Sequence, residues 1–264
     1  PRLLSSAVTL ALLLIFVSCK TAPDSDSSAP ANHFRVNLGT EPPSLDWSLA
    51  TDGVSFNVIA NLMVGLTEFT RDLKPARVIA KSWDIAHGGR RIIFHLRDDV
   101  LWSDGQKVRA QDFEYSWKRL LNPKTASEYA YILFDIVNAQ EYHDGQLADA
   151  AEVGVRALDD VTLEVRLRHP ASYFLSLTTF EVTFPQRQDI VERFESRWTD
   201  PEHIVTNGPF TLASWKHENE IQLRANSNYF LGKPVIDRVT MLMVSEKNTA
   251  LAMYEQGQLD FIDN

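Results

Sequence analysis

The chain has 264 residues, 44% of them hydrophobic and 23% charged, an ordinary globular composition with enough apolar content for a sizeable core. A formal net charge of −9 excludes the electrostatic footprint of a nucleic-acid-binding protein. One cysteine excludes an intrachain disulfide and a cysteine-built zinc or redox centre, and the histidines show no H-x-x-x-H or H-E-x-x-H spacing. No cofactor is implied.

The chain opens on Pro1 rather than Met, so further residues are expected upstream. Arg2 precedes a largely apolar run from Leu3 to Val17, shorter than the roughly 20 residues of a membrane span. A basic residue, an apolar stretch and then small residues describe a secretory signal peptide. Its end, Phe16-Val17-Ser18-Cys19, resembles a bacterial lipobox, although Phe16 stands where Leu is usual; the resemblance implies acylation of Cys19. Residues 20–32 are rich in Ser, Asp, Pro and Ala and cannot build a core, so they read as a flexible tether. The alternative is a plain signal peptide or buried helix with an incidental cysteine.

The folded part is expected from His33. Phe34 to Leu38 alternates as a strand, Pro42-Pro43 marks a loop, and Ser55 to Val64 carries apolar residues near helical spacing. Val78 to Trp83 is a short element. Trp83-Asp84-Ile85, Gly88-Gly89 and Arg91 to Leu96 predict a hairpin, and Trp102-Ser103-Asp104-Gly105 a tight turn. From Ala110, Phe113, Trp117, Leu120 and Leu121 share one helical face, which Asn122-Pro123 ends. Ala130 to Asp144 reads as a helix, Val153 to Leu167 as a second hairpin, Tyr173 to Phe180 and Ile190 to Phe194 as helices. Phe210 to Leu212, Glu220 to Arg224 and Arg238 to Val244 read as strands, Thr249 to Tyr254 as a helix stopped by Gly257, and Leu259 to Ile262 as a strand cut short. The pattern is mixed α/β without internal repeats. Four of the six tryptophans, Trp83, Trp102, Trp117 and Trp215, sit at helical or alternating spacing and read as core rather than as a stacking platform.

Seven segments in order resemble family 5 of the bacterial extracellular solute-binding proteins, in particular its oligopeptide-binding members. They are Glu41-Pro42-Pro43-Ser44-Leu45-Asp46; Ile79 to Trp83 with Phe94 to Arg97; Trp102 to Gly105; Asp112 to Arg119; Asn122 to Ser127; Val205 to Phe210; and Asn228-Tyr229-Phe230. The resemblance runs from about residue 34 to the end. It implies a periplasmic-binding-protein-like α/β fold (type II, cluster C), in which two lobes close over a ligand and one lobe carries an inserted α+β subdomain. On that pattern residues 1–19 are a lipoprotein signal peptide and 20–32 a tether. Residues 33–64 and 189–264 form an incomplete lobe I, residues 65–188 form the inserted subdomain, and the second lobe is missing. The chain would be a fragment or a truncated gene product.

The resemblance further implies a non-enzymatic, monomeric binding protein at the periplasm or cell surface. A lipid anchor would hold it at the membrane, where it captures short peptides for an ABC permease and its ATPase. Asp52, Gly53 and Val54 match a loop lining the cleft, with Val54 pairing through its backbone as an added strand does and Asp52 meeting a basic ligand group. Tyr129 matches a cleft tyrosine able to bond a peptide carbonyl, and Asn207-Gly208 a cleft loop near the hinge. Each has a structural alternative: a solvated loop, a half-buried packing tyrosine, and a turn that starts a strand. The carboxylate that holds a peptide's α-amino group would lie in the missing lobe. Rival readings keep the fold and change the solute (murein peptide, nickel complex, haem) or replace import by peptide sensing. A hydrolase built on His143-Asp144 or His169 lacks any nucleophile motif, and these histidines read as surface groups.

Each buried methylene contributes about 0.8 kcal/mol to membrane attachment, so a multiply acylated Cys19 holds the protein firmly. Replacing Cys19 by Ala is expected to move the protein from the membrane pellet to the soluble fraction; a variant that stays in the pellet would refute the lipobox.

Overall fold

A computed structural model describes residues 32–262; Cys19 and tether residues 20–31 lie outside them. The elements in chain order are β1 (His33–Asn37), α1 (Gly53–Leu62), β2 (Thr67–Phe69), β3 (Pro75–Arg77), β4 (Ala80–Ala86), β5 (Arg91–Leu96), α2 (Ala110–Leu121) and α3 (Ala139–His143). They continue as β6 (Val155–Asp159), β7 (Thr162–Arg166), α4 (Phe174–Leu177), α5 (Gln188–Phe194), β8 (Phe210–Lys216), β9 (Glu220–Ala225), β10 (Arg238–Leu242) and α6 (Lys247–Glu255).

Two four-stranded sheets organise them. The first runs β1-β10-β9-β8, with β1 parallel to β10 and the other pairs antiparallel. Its register stacks Phe34 beside Val239 and Leu223, and Val36 beside Met241 and Ile221, on one face. Side chains alternate across a strand, so the opposite face carries Arg35, Arg238, Gln222 and Glu220. Helix α1 buries Val58, Ile59 and Leu62 and packs on β8. The second sheet runs β4-β5-β7-β6, wholly antiparallel. Ile92, Phe94, Leu163, Val165 and Val155 share its buried face and meet α2, whose Phe113, Trp117, Leu120 and Leu121 are fully buried. The β4–β5 hairpin turns at Gly88 and Gly89, with φ of 63° and 90°, values glycine adopts without a Cβ clash.

Three expected elements differ. The helix expected over Ala130 to Asp144 is a 3-10 turn (Ala130–Leu133) and the short α3. Between them the chain is drawn into pairing: the Val137 amide donates to Arg166 O, and its carbonyl accepts from the Gly154 amide. Asn138, at φ 63°, then reverses the backbone. Tyr173 to Phe180 keeps only the turn of α4. Leu259 to Ile262 contributes a single parallel bridge, Phe261 to Val36, beside β1, held by a two-pronged Arg35–Asp260 ion pair. The β2–β3 ribbon was not legible because three-residue strands show no measurable alternation. Of the four tryptophans, Trp102 and Trp117 are fully buried and Trp83 and Trp215 half-buried.

A polar knot ties the loop after β1 to α2 and to the segment around α5. Arg119 donates to both oxygens of Asp46, at 2.8 and 2.6 Å. Asp46 also accepts from the Trp198 indole at 3.1 Å and the Ser48 amide at 3.0 Å. Gln186 bonds Arg119 on one side and Ser48 on the other, and Trp47 meets Trp198 edge to face at 4.7 Å. At the start of α2, the Asp112 carboxylate accepts from the Arg109 amide and the Trp102 indole. Burial nevertheless pushes its pKa from 3.8 up to about 6.

Two predictions follow from these buried groups. Arg119→Met leaves Asp46 buried without its cation, so chemical denaturation should show a loss of about 3–5 kcal/mol; a loss under about 1 kcal/mol would mean the pair contributes little. For Asp112, a folded pKa above the unfolded one favours folding only while the group is protonated. Its contribution is present below about pH 4 and is lost as pH rises towards about 6. The stability of the native chain relative to Asp112→Asn should therefore fall over that window, on the order of 3 kcal/mol. Parallel pH profiles would refute this.

Candidate ligand-binding site

Helix α1 organises the site. Asp52 is its N-cap, in extended conformation. One carboxylate oxygen accepts from the Ser55 amide at 2.9 Å and the other from the Ser55 hydroxyl at 2.7 Å. Such a cap satisfies one of the orphan amides at a helix start. The Gly53 and Val54 amides come before any intrahelical acceptor, and they sit where the helix dipole favours an electron-rich partner. Gly53 is exposed, and a Cβ placed on it would meet nothing within 4 Å. The helix start thus offers two backbone donors, one at the exposed Gly53 and one at the half-buried Val54, beside a carboxylate.

An aromatic cluster flanks this end. Phe56, in the first turn of α1, lies 6.0 Å from the Tyr129 ring and 5.1 Å from Phe180. Tyr129 and Phe180 meet perpendicular at 5.0 Å, and Tyr131, 59% exposed, extends the group at 6.1 Å from Tyr129. Tyr129 is half-buried and follows a turn in which Ser127 accepts its amide. Tyr129 therefore meets, through Phe56, the first turn of the helix that Asp52 caps and that Gly53 and Val54 begin. Sequence reasoning missed Phe56, Phe180 and Tyr131 as site residues; Phe56 was one of the apolar residues near helical spacing over Ser55 to Val64, and nothing local marked the other two.

Asn207 and Gly208 sit elsewhere. They touch the opposite end of α1, which at ten residues is about 15 Å long. Asn207 is wholly buried; its side-chain oxygen accepts from the Val64 amide at 3.0 Å and its nitrogen donates to the Val64 carbonyl at 3.1 Å. The Gly208 amide donates to Leu62 O at 2.9 Å, and a Cβ on Gly208 would fall 2.6 Å from the Leu62 backbone. Only glycine allows that approach.

Beyond these residues, an apolar groove of about 600 Å³ lies along the β1 side of the first sheet, lined among others by Phe34, Val36, Asn61, Met241 and Phe261. His143 packs on Phe134 and contacts Leu121 O, and His169 pairs with Asp135 at 3.0 Å. Among the described residues no cluster of three or more His, Cys, Asp or Glu is placed to hold a metal, and no helix is long and apolar enough to cross a membrane.

Residues 74–264 match the model of the bacterial extracellular solute-binding proteins, family 5 Middle. The chain is 37% identical over 229 residues to the oligopeptide-binding protein OppA of Bacillus subtilis, covering 86% of this chain and 42% of that protein. Among solved structures, Haemophilus influenzae OppA in complex with the peptide RPPGFSPFR superposes with a TM-score of 0.83 at 35% identity, over 88% of this chain and 45% of that one. The Escherichia coli murein tripeptide binding protein MppA gives 0.84 at 32%, over 89% and 46%. The chain spans about half the length of the relatives it matches. It belongs to the family 5 bacterial extracellular solute-binding proteins.

Proposed function

We propose that this chain supplies one wall of the peptide-binding cleft of an extracytoplasmic solute-binding protein, which hands short peptides to an ABC permease and ATPase. The observation that carries this reading is the start of α1. Its free Gly53 and Val54 amides are suited to a peptide main chain, which gives affinity without demanding a particular sequence. The Tyr129 cluster offers a face for ligand side chains, and Asp52, although it caps the helix, keeps acceptor capacity for a basic group. In this reading residues 33–64 and 189–264 belong to one lobe and 65–188 to a subdomain inserted into it. Cys19 carries the lipid anchor, and the protein works as a monomer at the membrane surface. The ammonium-binding carboxylate belongs to a second lobe that these residues do not include.

The similarity to MppA supports a second ligand class, murein peptide, which the same backbone donors would serve. Native mass spectrometry of the complete protein purified from its host would identify the solute.

Calorimetry of this chain with di- to pentapeptides is expected to show no micromolar binding, since one wall leaves most of a ligand in water. Micromolar or tighter affinity would overturn the one-wall reading. At millimolar peptide, NMR should still show shifts at the Gly53 and Val54 amides and at the Tyr129 ring; a spectrum unchanged at all three would refute the assignment of the site.

A further inference from the structure

The far end of α1 is tied to the loop that carries Asn207 and Gly208. The chain leaves the helix through Met63 in extended conformation and continues as Val64 and Gly65 towards β2. At this exit the side-chain amide of Asn207 takes both the N–H and the C=O of Val64, as a neighbouring strand would. The support is itself fixed on two sides. Asn226, just after β9, donates from its side chain to Gly208 O at 2.9 Å and from its backbone amide to Pro209 O, which ties the loop entering β8 to the end of the neighbouring strand. Thr206 exchanges hydrogen bonds with Ser103 in the tight turn, at 2.7 and 3.1 Å. Gly208 lies against the Leu62 backbone with no room for a Cβ. Helix α1 is therefore held at its last turn by a loop that is anchored elsewhere, while at its first residue, Gly53, the backbone is exposed.

We propose that Asn207 is a positioning residue: it sets the placement of α1, and through it of the Gly53 and Val54 amides, without touching the ligand. This rests on the cleft reading above, because those amides matter only if ligand meets them. The geometry itself does not depend on it. Asn207 has no exposed surface and both polar atoms of its amide are engaged, so its influence on a ligand passes along a rigid helix of about 15 Å.

Asn207→Asp separates this role from packing. A protonated carboxyl can accept from the Val64 amide and donate to the Val64 carbonyl, as the native amide does; an ionised one cannot donate and is costly to bury. Burial raises a carboxyl pKa, so the variant is expected to be native-like near about pH 5 and to lose the clamp as pH rises towards about 9. Hydrogen exchange, corrected for intrinsic rates, should then show protection in α1 falling about tenfold or more, while β5 and β9 stay protected and the native chain shows no such pH dependence. Asn207→Ala should show the α1 loss at every pH. Unchanged α1 protection in both variants, or an equal fall throughout the core, would overturn the proposal. So would a peptide-induced shift at the Asn207 side-chain amide larger than that at Gly53. Loosened α1 with no peptide effect on native Gly53 and Val54 would instead leave the clamp standing and refute the cleft reading.

Discussion

The Asp46–Arg119 pair ties the loop that leaves the first sheet at β1 to the helix that packs on the second sheet. Asp46 lies in the loop after β1, Arg119 in the last turn of α2, and the Trp198 indole that completes the carboxylate's shell lies just beyond α5. An ion pair this sequestered is a weak source of net stability, because desolvation offsets much of the attraction. Separating the partners would leave a charge stranded in a sequestered site, which disfavours alternative arrangements of these segments. Gln186, Ser48 and the Trp47–Trp198 contact fill in the remaining bonds. The Trp117 indole and Ser116 hydroxyl add bonds to the Thr183 and Phe184 carbonyls, so the return from the second sheet runs along a fixed track.

That track delivers the chain to Asn207 and Gly208, where it meets the outgoing chain at residues 62–64. Departure and return are thus laced side by side, by the Asn207 amide pairing with Val64 and by the backbone bond from Gly208 to Leu62. On the proposed reading this divides the labour along α1. Its last turn is bound into the joint between the sheets, and its first turn presents amides and an aromatic flank. In that reading, a stiff helix fixed at its far end preorganises the backbone donors at its start, since little ordering would remain to be done when a ligand arrives.

Much of this was legible in the sequence. The apolar spacing of Phe113, Trp117, Leu120 and Leu121, the Gly88-Gly89 turn and the alternation of Val161 to Leu167 each identify a local element, because the period of burial is written in the residues that are buried. The seven ordered blocks identified the family, and several now have a physical explanation: the Asp and Arg ending two of them form the central ion pair, and the tight turn of a third braces the Asn207 loop. The site was legible in part. The resemblance marked Asp52, Gly53 and Val54 as a cleft loop, with Val54 pairing like an added strand; the structure instead makes Asp52 the cap and Gly53 and Val54 the first residues of α1, because the Asp52 carboxylate finds the Ser55 amide.

The remainder was decided only when distant segments met. The parallel pairing of β1 with β10 joins residues at opposite ends of the folded region, and neither strand carries a local mark of its partner. The helix expected over Ala130 to Asp144 gave way because Val137 found backbone partners at Arg166 and Gly154. Asn207 is the sharpest case. The residue type announces an amide with a donor and an acceptor, but whether these face a ligand or the backbone of Val64 depends on which segment the fold brings opposite. A sequence states the hydrogen-bonding capacity of each group, and tertiary structure selects its partner.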